Sequence, residues 1–177
     1  NRRLAAVYLN PHFTDPSVAV ALEETLLRQG AHMHAVGEGY AGRPGWRARD
    51  ASFVDVVAAA DLLVSAPGMG ALTQARILGT PFLAIVTDQP EQAQNLGFLQ
   101  GASHPVEKVI LQCDRHSLHQ DLATAANRLL LAPQVNRRTD VQSVIEETHA
   151  LWSLTLIGFA EDARRMGSAE RLHRRAS

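Results

Sequence analysis

Short apolar runs of strand length alternate along this chain with stretches whose apolar residues recur at helical spacing. That alternation predicts a parallel sheet flanked by helices, since each strand is then followed by a helix that crosses back over the sheet. Leu4 to Leu9 (LAAVYL) predicts a buried strand ended by Asn10-Pro11. Asp15-Pro16 predicts a helix start, with Asp15 as N-cap and proline at the first helical position. Val18, Leu22, Thr25 and Leu26 form its apolar face, and Gly30 closes it. Ala31 to Val36 is a second strand, and Gly37 to Asp50 (GEGYAGRPGWRARD) reads as a flexible loop.

The alternation continues. Ser52 is placed to cap a short helix reaching Ala60, with Asp55 at its third position. Asp61 to Ser65 predicts a strand, Ala66 to Gly70 a tight turn, and Ala71 to Leu78 a helix stopped by Gly79. Phe82 to Val86 is the next strand, Asp88-Gln89-Pro90 a turn, and Glu91 to Gln100 a helix ended by Gly101. Val106 to Leu111 predicts a fifth strand and Ser117 to Leu131 a helix. Thr139 and Gln142 have capping-box spacing and open a long helix carrying Val141, Val144, Ile145, Trp152 and Leu156. The expected architecture is a doubly wound, Rossmann-like α/β sheet over residues 1–135, followed by a helical extension over residues 136–177.

Composition narrows the function classes. The 177 residues are 46 % hydrophobic and 20 % charged, an ordinary soluble balance. With 17 basic and 18 acidic side chains the formal charge is −1, which leaves no positive field to steer the chain toward nucleic acid. Eight histidines, if all titrated, would carry the charge to about +7 in acid. The single cysteine, Cys113, excludes an internal disulfide and a thiolate-rich metal site. The uncharged run from Leu62 to Ala75 is too short, and too broken by Pro67, Gly68 and Gly70, to span a bilayer. No signal peptide is visible, so a cytoplasmic location is expected. Because the chain opens on Asn1 rather than methionine, it is expected to be a piece of something longer.

Three motifs compete for a function. Gly37-Glu38-Gly39-Tyr40-Ala41-Gly42 fits G-x-G-x-x-G after a strand, but Arg43-Pro44-Gly45 follows it and no helix can start in time to hold a pyrophosphate. Ser65-Ala66-Pro67-Gly68-Met69-Gly70-Ala71 lies between a strand and a helix at the carboxyl edge of the sheet. Its glycines let a ligand approach the backbone, and the first helical amides have no internal partner, so a diphosphate would fit. A plain strand-to-helix turn fits equally well, and the spacing is neither a Walker A motif nor a nucleophile elbow. Asp88-Gln89-Pro90-Glu91-Gln92 sits one unit later at the same edge. Its side chains suit vicinal hydroxyls, although an N-cap with solvated carboxylates explains them too.

Other candidates favour bland explanations. His116 and His119, near Asp114 and Asp121, have i, i+3 spacing, but without further ligands they read as a solvated face. His32 and His34 read as strand-face residues, and Trp152, Leu156 and Phe159 as packing residues. Arg164, Arg165, Arg171, Arg174 and Arg175 suggest either peripheral contact with an anionic membrane or a partner, or a solvated helix diluted by Glu161, Asp162 and Glu170.

Taken together, the segment Ala59 to Pro81 (AADLLVSAPGMGALTQARILGTP) resembles the donor-binding half of a GT-B glycosyltransferase. It is similar to the peptidoglycan N-acetylglucosaminyl transferase and to bacterial natural-product glycosyltransferases. There an alanine-alanine-aspartate strand leads into a G-x-G turn and a helix ending in Gly-x-Pro. Asp88-Gln89-Pro90-Glu91-Gln92-Ala93 extends the likeness, standing where that family carries Asp-Gln-x-x-Asn-Ala. The resemblance runs from Ser52 to Leu96, and topology alone extends it over the remainder.

The resemblance implies a nucleotide-diphosphate sugar, UDP- or TDP-linked, as partner, with no cofactor and no metal. Gly68, Met69, Gly70 and Ala71 would hold the diphosphate through backbone amides. Phe53 and Val54 would meet the base, Gln74 the ribose, and Asp88, Gln89 and Gln92 the sugar. Asn10, His12 and Thr14 would line the cleft, and the helix from Thr139 would cross back to an N-terminal GT-B half, in the same or another chain. That half normally carries the acceptor site and often the catalytic base, so no catalytic residue is assigned here. The chain also departs from the family: Gln74 replaces a glutamate, Ala71 a serine or threonine, Ala66 a histidine and Gln92 an asparagine. These losses keep open an auxiliary or regulatory homologue without transfer activity, and the shared architecture keeps open a sugar-nucleotide epimerase or hydrolase of the same fold.

Overall fold

The computed structural model describes residues 3–100, 104–111 and 115–132, with single helical positions at 146, 149, 150, 153 and 157. The chain divides into two compact units, Asn1–Thr139 and Asp140–Ser177. Most of the helix predicted from Thr139, and all of the arginine-rich tail, lie outside the described residues.

The first unit is built on six strands: β1 (Arg3–Tyr8), β2 (Ala31–Val36), β3 (Trp46–Arg47), β4 (Leu62–Ser65), β5 (Phe82–Val86) and β6 (Val106–Ile110). They pair in parallel in the order β3-β2-β1-β4-β5-β6. The helices are α1 (Pro16–Arg28), α2 (Phe53–Ala59), α3 (Met69–Leu78), α4 (Pro90–Gln100) and α5 (Arg115–Leu131). Alternation along the strands sends side chains to two cores. Ala5, Val7, Leu62, Val64, Leu83 and Ile85 face α1 and α5, whereas Ala6, Leu63, Phe82 and Ala84 face α2, α3 and α4. The doubly wound α/β fold expected from the alternation is thus the fold observed.

Local chemistry explains most boundaries. Asp15 Oδ1 accepts from the Ser17 amide at 2.8 Å and caps α1, with Pro16 beginning the helix. The predicted face Val18, Leu22, Thr25 and Leu26 is buried. Gly30 and Gly79 end α1 and α3 at φ of 70° and 66°, a left-handed conformation that favours glycine.

Three expectations need correction. The segment after β2 is not a flexible loop but a short 3-10 turn (Glu38–Tyr40) followed by an edge strand beyond the five expected, β3. Glu23 of α1 holds this segment: it accepts from Trp46 Nε1 at 2.7 Å and pairs with Arg43 at 3.0 Å. Tyr40 packs on Trp46 with ring centroids 4.7 Å apart and donates to the Asp15 carbonyl at 3.0 Å. The glycines of the G-x-G pattern serve packing here: a Cβ at Gly39 would stand 2.4 Å from the Phe13 carbonyl oxygen. Ser52 does not cap α2 with its side chain; its hydroxyl is turned toward Asp50, donating to Oδ1 at 2.7 Å. Finally, α3 begins at Met69 and α5 at Arg115, each two residues before the predicted start.

Candidate functional site

In the observed strand order the chain runs outward from β1 to β2 and β3, then returns past β1 to β4, β5 and β6. Open α/β sheets bind ligands where the order reverses, beyond the carboxyl ends of the strands. Here that switch point lies between β1 and β4, where Tyr8 pairs with Ser65. On one side is the β1–α1 loop carrying Asn10, His12 and Thr14; on the other is the Ser65–Gly70 turn. Asn10 Oδ1 accepts from the His12 amide at 3.1 Å and shapes the loop, while His12 and Thr14 are exposed.

The turn itself changes character along its length. Ser65, Ala66 and Pro67 are buried, whereas Gly68 and Gly70 are exposed. The Gly68 amide donates to the Ala66 carbonyl at 2.8 Å, and the first helical bond runs from Leu72 N to Gly68 O at 3.1 Å. The amides of Met69, Gly70 and Ala71 therefore have no acceptor within the helix. Packing does not require glycine at 68 or 70, since a Cβ at either would meet nothing within 4 Å. Nor does Gly68 need glycine for its backbone, which is extended at φ −79°.

Beside the loop is a cavity of about 280 Å³ whose lining includes Tyr8, Pro11, Val36, Glu38, Asp50 and Phe53. The Phe53 ring lies 5.9 Å from Tyr8 and 6.2 Å from His34. Val54, next in α2, is exposed. Asp50 is held low, at about pKa 2, chiefly by the Ser52 hydroxyl, then by the Ser52 amide and by His34. A second groove of about 400 Å³, lined by His32, His34, Trp46 and Arg47 among others, lies along β2 and β3.

At the next turn Asp88 is exposed, Gln89 half-buried and Gln92 only 4 % exposed. Both polar atoms of Gln92 are engaged: Oε1 accepts from the Thr87 amide at 2.7 Å, and Nε2 donates to Gln89 Oε1 at 2.7 Å. Two residues that sequence reasoning missed belong here. Asn95 Nδ2 donates to the Pro67 carbonyl at 3.1 Å, tying α4 to the glycine turn. Thr87 carries a buried hydroxyl with no hydrogen-bond partner among the described residues. Asn95 lies one helical turn beyond Gln92, a spacing that could have drawn attention to it.

The remaining candidates are scattered. Gln74 and Ala71 are half-buried on α3, and Ala66 is buried. His119 Nδ1 is 4.0 Å from Glu24 Oε2. Among the described residues no group of three or more His, Cys, Asp or Glu side chains gathers to hold a metal ion, and no helix is long and apolar enough to cross a membrane.

A parallel sheet whose strand order reverses between β1 and β4 defines an open, doubly wound α/β fold. Comparison with solved structures makes this more particular: the chain has the Rossmann-like fold of one half of a GT-B glycosyltransferase. The glycosyltransferase of kitacinnamycin matches 84 % of this chain at 21 % identity and a TM-score of 0.59. The spinosyn rhamnosyltransferase SpnG, solved with spinosyn aglycone and with thymidine diphosphate, matches 80 % at 17 % identity and 0.51. The chain spans 39 % and 42 % of the length of these structures. No protein-family model matches it, and no curated protein matches it by sequence.

Proposed function

We propose that this chain is the donor-binding half of a glycosyltransferase that uses a nucleotide-diphosphate sugar, UDP- or TDP-linked. The observation that carries this reading is the pair of exposed glycines, Gly68 and Gly70, which neither packing nor a close neighbour requires and which open the start of α3 at the switch point. The diphosphate lies across that turn, taking hydrogen bonds from the amides of Met69, Gly70 and Ala71 and the positive end of the α3 dipole. Gly68, whose own amide is engaged, contributes a bare α-carbon. The base enters the cavity lined by Phe53, with the exposed Val54 next in α2, and Gln74 meets the ribose. Asp88 and Gln89 face the sugar, and Asn10, His12 and Thr14 line the cleft.

In transfer, an acceptor oxygen attacks the anomeric carbon as its bond to the diphosphate breaks. The acceptor proton passes to a base on the N-terminal half, and the helix N-terminus stabilises the charge left on the diphosphate. That scheme uses no cofactor or metal. The cytoplasm, where nucleotide sugars are made, is its setting.

Calorimetry of this chain with UDP and with TDP tests the reading, repeated with Gly70→Trp to fill the turn. Saturable binding lost in the folded variant supports it; absence of binding to both nucleotides at millimolar concentration sinks it. A second reading, an auxiliary homologue without transfer activity, is favoured by the apolar Ala66 and Ala71 at positions where the resembled family offers polar groups. It predicts no nucleotide binding. Release of free nucleotide from a nucleotide sugar without acceptor would favour an epimerase or hydrolase.

A further inference from the structure

We propose that Gln92 is a positioning residue that fixes the polarity of Gln89, so that the sugar site presents a hydrogen-bond donor from Gln89 next to the acceptor of Asp88. This rests on the donor-binding reading above and goes beyond it. It starts from a backbone group whose chemistry admits one direction only. The Thr87 amide donates, so the Gln92 atom 2.7 Å away is the oxygen, Oε1. The other end of the Gln92 amide is then its NH2, which donates across 2.7 Å to Gln89 and requires Gln89 to turn its own oxygen inward. The Gln89 Nε2 is left facing away from this chain of bonds, and among the described residues it has no protein partner.

A primary amide free to flip offers a ligand either a donor or an acceptor. Gln89 offers the donor alone, because flipping would set its NH2 against that of the buried Gln92. Asp88 beside it is exposed, and its carboxylate only accepts. The pair therefore selects a ligand edge on which one hydroxyl donates and its neighbour accepts, in one order. Gln92 itself is almost completely buried and spends both polar atoms inside the protein. An asparagine, one methylene shorter, would not span the same two partners, which gives the glutamine a physical reason.

The test compares UDP with UDP-glucose and TDP with TDP-glucose by calorimetry, on the wild-type chain and on Gln92→Glu. The ionised carboxylate of that variant still accepts from Thr87 but cannot donate, so Gln89 flips and presents oxygen. At about pH 9.5 the ratio of sugar-nucleotide to nucleotide affinity should fall about tenfold, with nucleotide affinity held within about twofold. Lowering the pH until that side chain is protonated lets it donate again, so the variant's ratio should return to the wild-type ratio at the same pH, which is the reference because the terminal phosphate of the free nucleotide itself titrates at about 6. An unchanged ratio, an equal loss for nucleotide and sugar nucleotide, or a loss that acid does not reverse overturns the proposal. If neither nucleotide binds the wild-type chain, the donor-binding reading fails and this inference with it. Should Gln92→Glu not fold, side-chain amide resonances of the wild-type chain decide: the Gln89 NH2 must shift when the sugar nucleotide replaces the nucleotide, and no shift overturns the proposal.

Discussion

His34 Nε2 and Asp50 Oδ2 lie 2.7 Å apart, joining β2 to the segment that enters α2. Asp50 also accepts from the Ser52 hydroxyl at 2.7 Å and from its amide at 2.9 Å. The carboxylate thus anchors one wall of the cavity next to Phe53.

Acid should release that anchor. The Asp50 carboxyl is held from its ordinary 3.8 down to about 2, so its contribution to stability is present above 3.8 and is lost as pH falls toward 2. Denaturant unfolding of wild type and Asp50→Ala should differ at neutral pH and converge near pH 2. A gap that persists there would contradict the prediction.

At the alkaline end, burial first and then the nearby Asp15 raise the Tyr40 phenol from 10.0 to about 12. The raised value means that its contribution is complete below 10 and is lost as pH climbs through 12. Phenolate absorbance should therefore show one late-titrating tyrosine, absent in Tyr40→Phe. That variant, which lacks the bond to the Asp15 carbonyl, should lose about 0.5–1.5 kcal/mol at neutral pH.

Glu23 holds β3 from a distance. Glu23→Ala removes the acceptor of Trp46 Nε1 and the partner of Arg43. Because Glu23 and Arg43 are roughly a third exposed, the expected loss is about 1.5 kcal/mol, the low end for bonds to a charged group. Trp46 emission should shift to longer wavelength; an unaltered spectrum would mean that Tyr40 alone keeps the indole in place.

Gly70→Ala separates stability from binding. With nothing within 4 Å of the added methyl, the variant should be as stable as wild type or gain up to about 1 kcal/mol from helix propensity. Nucleotide affinity, however, should fall. A melting temperature well below wild type would show that the glycine serves the fold.

The strands other than β3 were legible in the sequence because each is an apolar run bounded by turn residues, and Asp15-Pro16 announced α1 without ambiguity. β3 was not: two residues carry no periodicity, and the contacts that hold them come from Glu23, twenty-three positions before Trp46. The start of α3 is not legible because Met69-Gly70 looks like turn sequence, while the buried Ser65–Pro67 segment already turns the chain into the helix. Within the candidate site the glycines were legible as residue types, but their openness is a property of empty space around them. The roles of Gln92 and Asn95 were hidden for a related reason: each bonds a backbone group, Thr87 N or Pro67 O, and backbone groups have no letter in the sequence.

The bond from Asn95 to the Pro67 carbonyl has a mechanical consequence. It stitches the β4–α3 turn to the helix that begins at the β5–α4 turn, while the pairing of Ser65 with Ala84 locks the strands beneath them. The two turns therefore form one rigid gauge. In the proposed donor complex, the distance from diphosphate to hexose is measured against this gauge, and any closing of two halves would carry both turns as a single jaw.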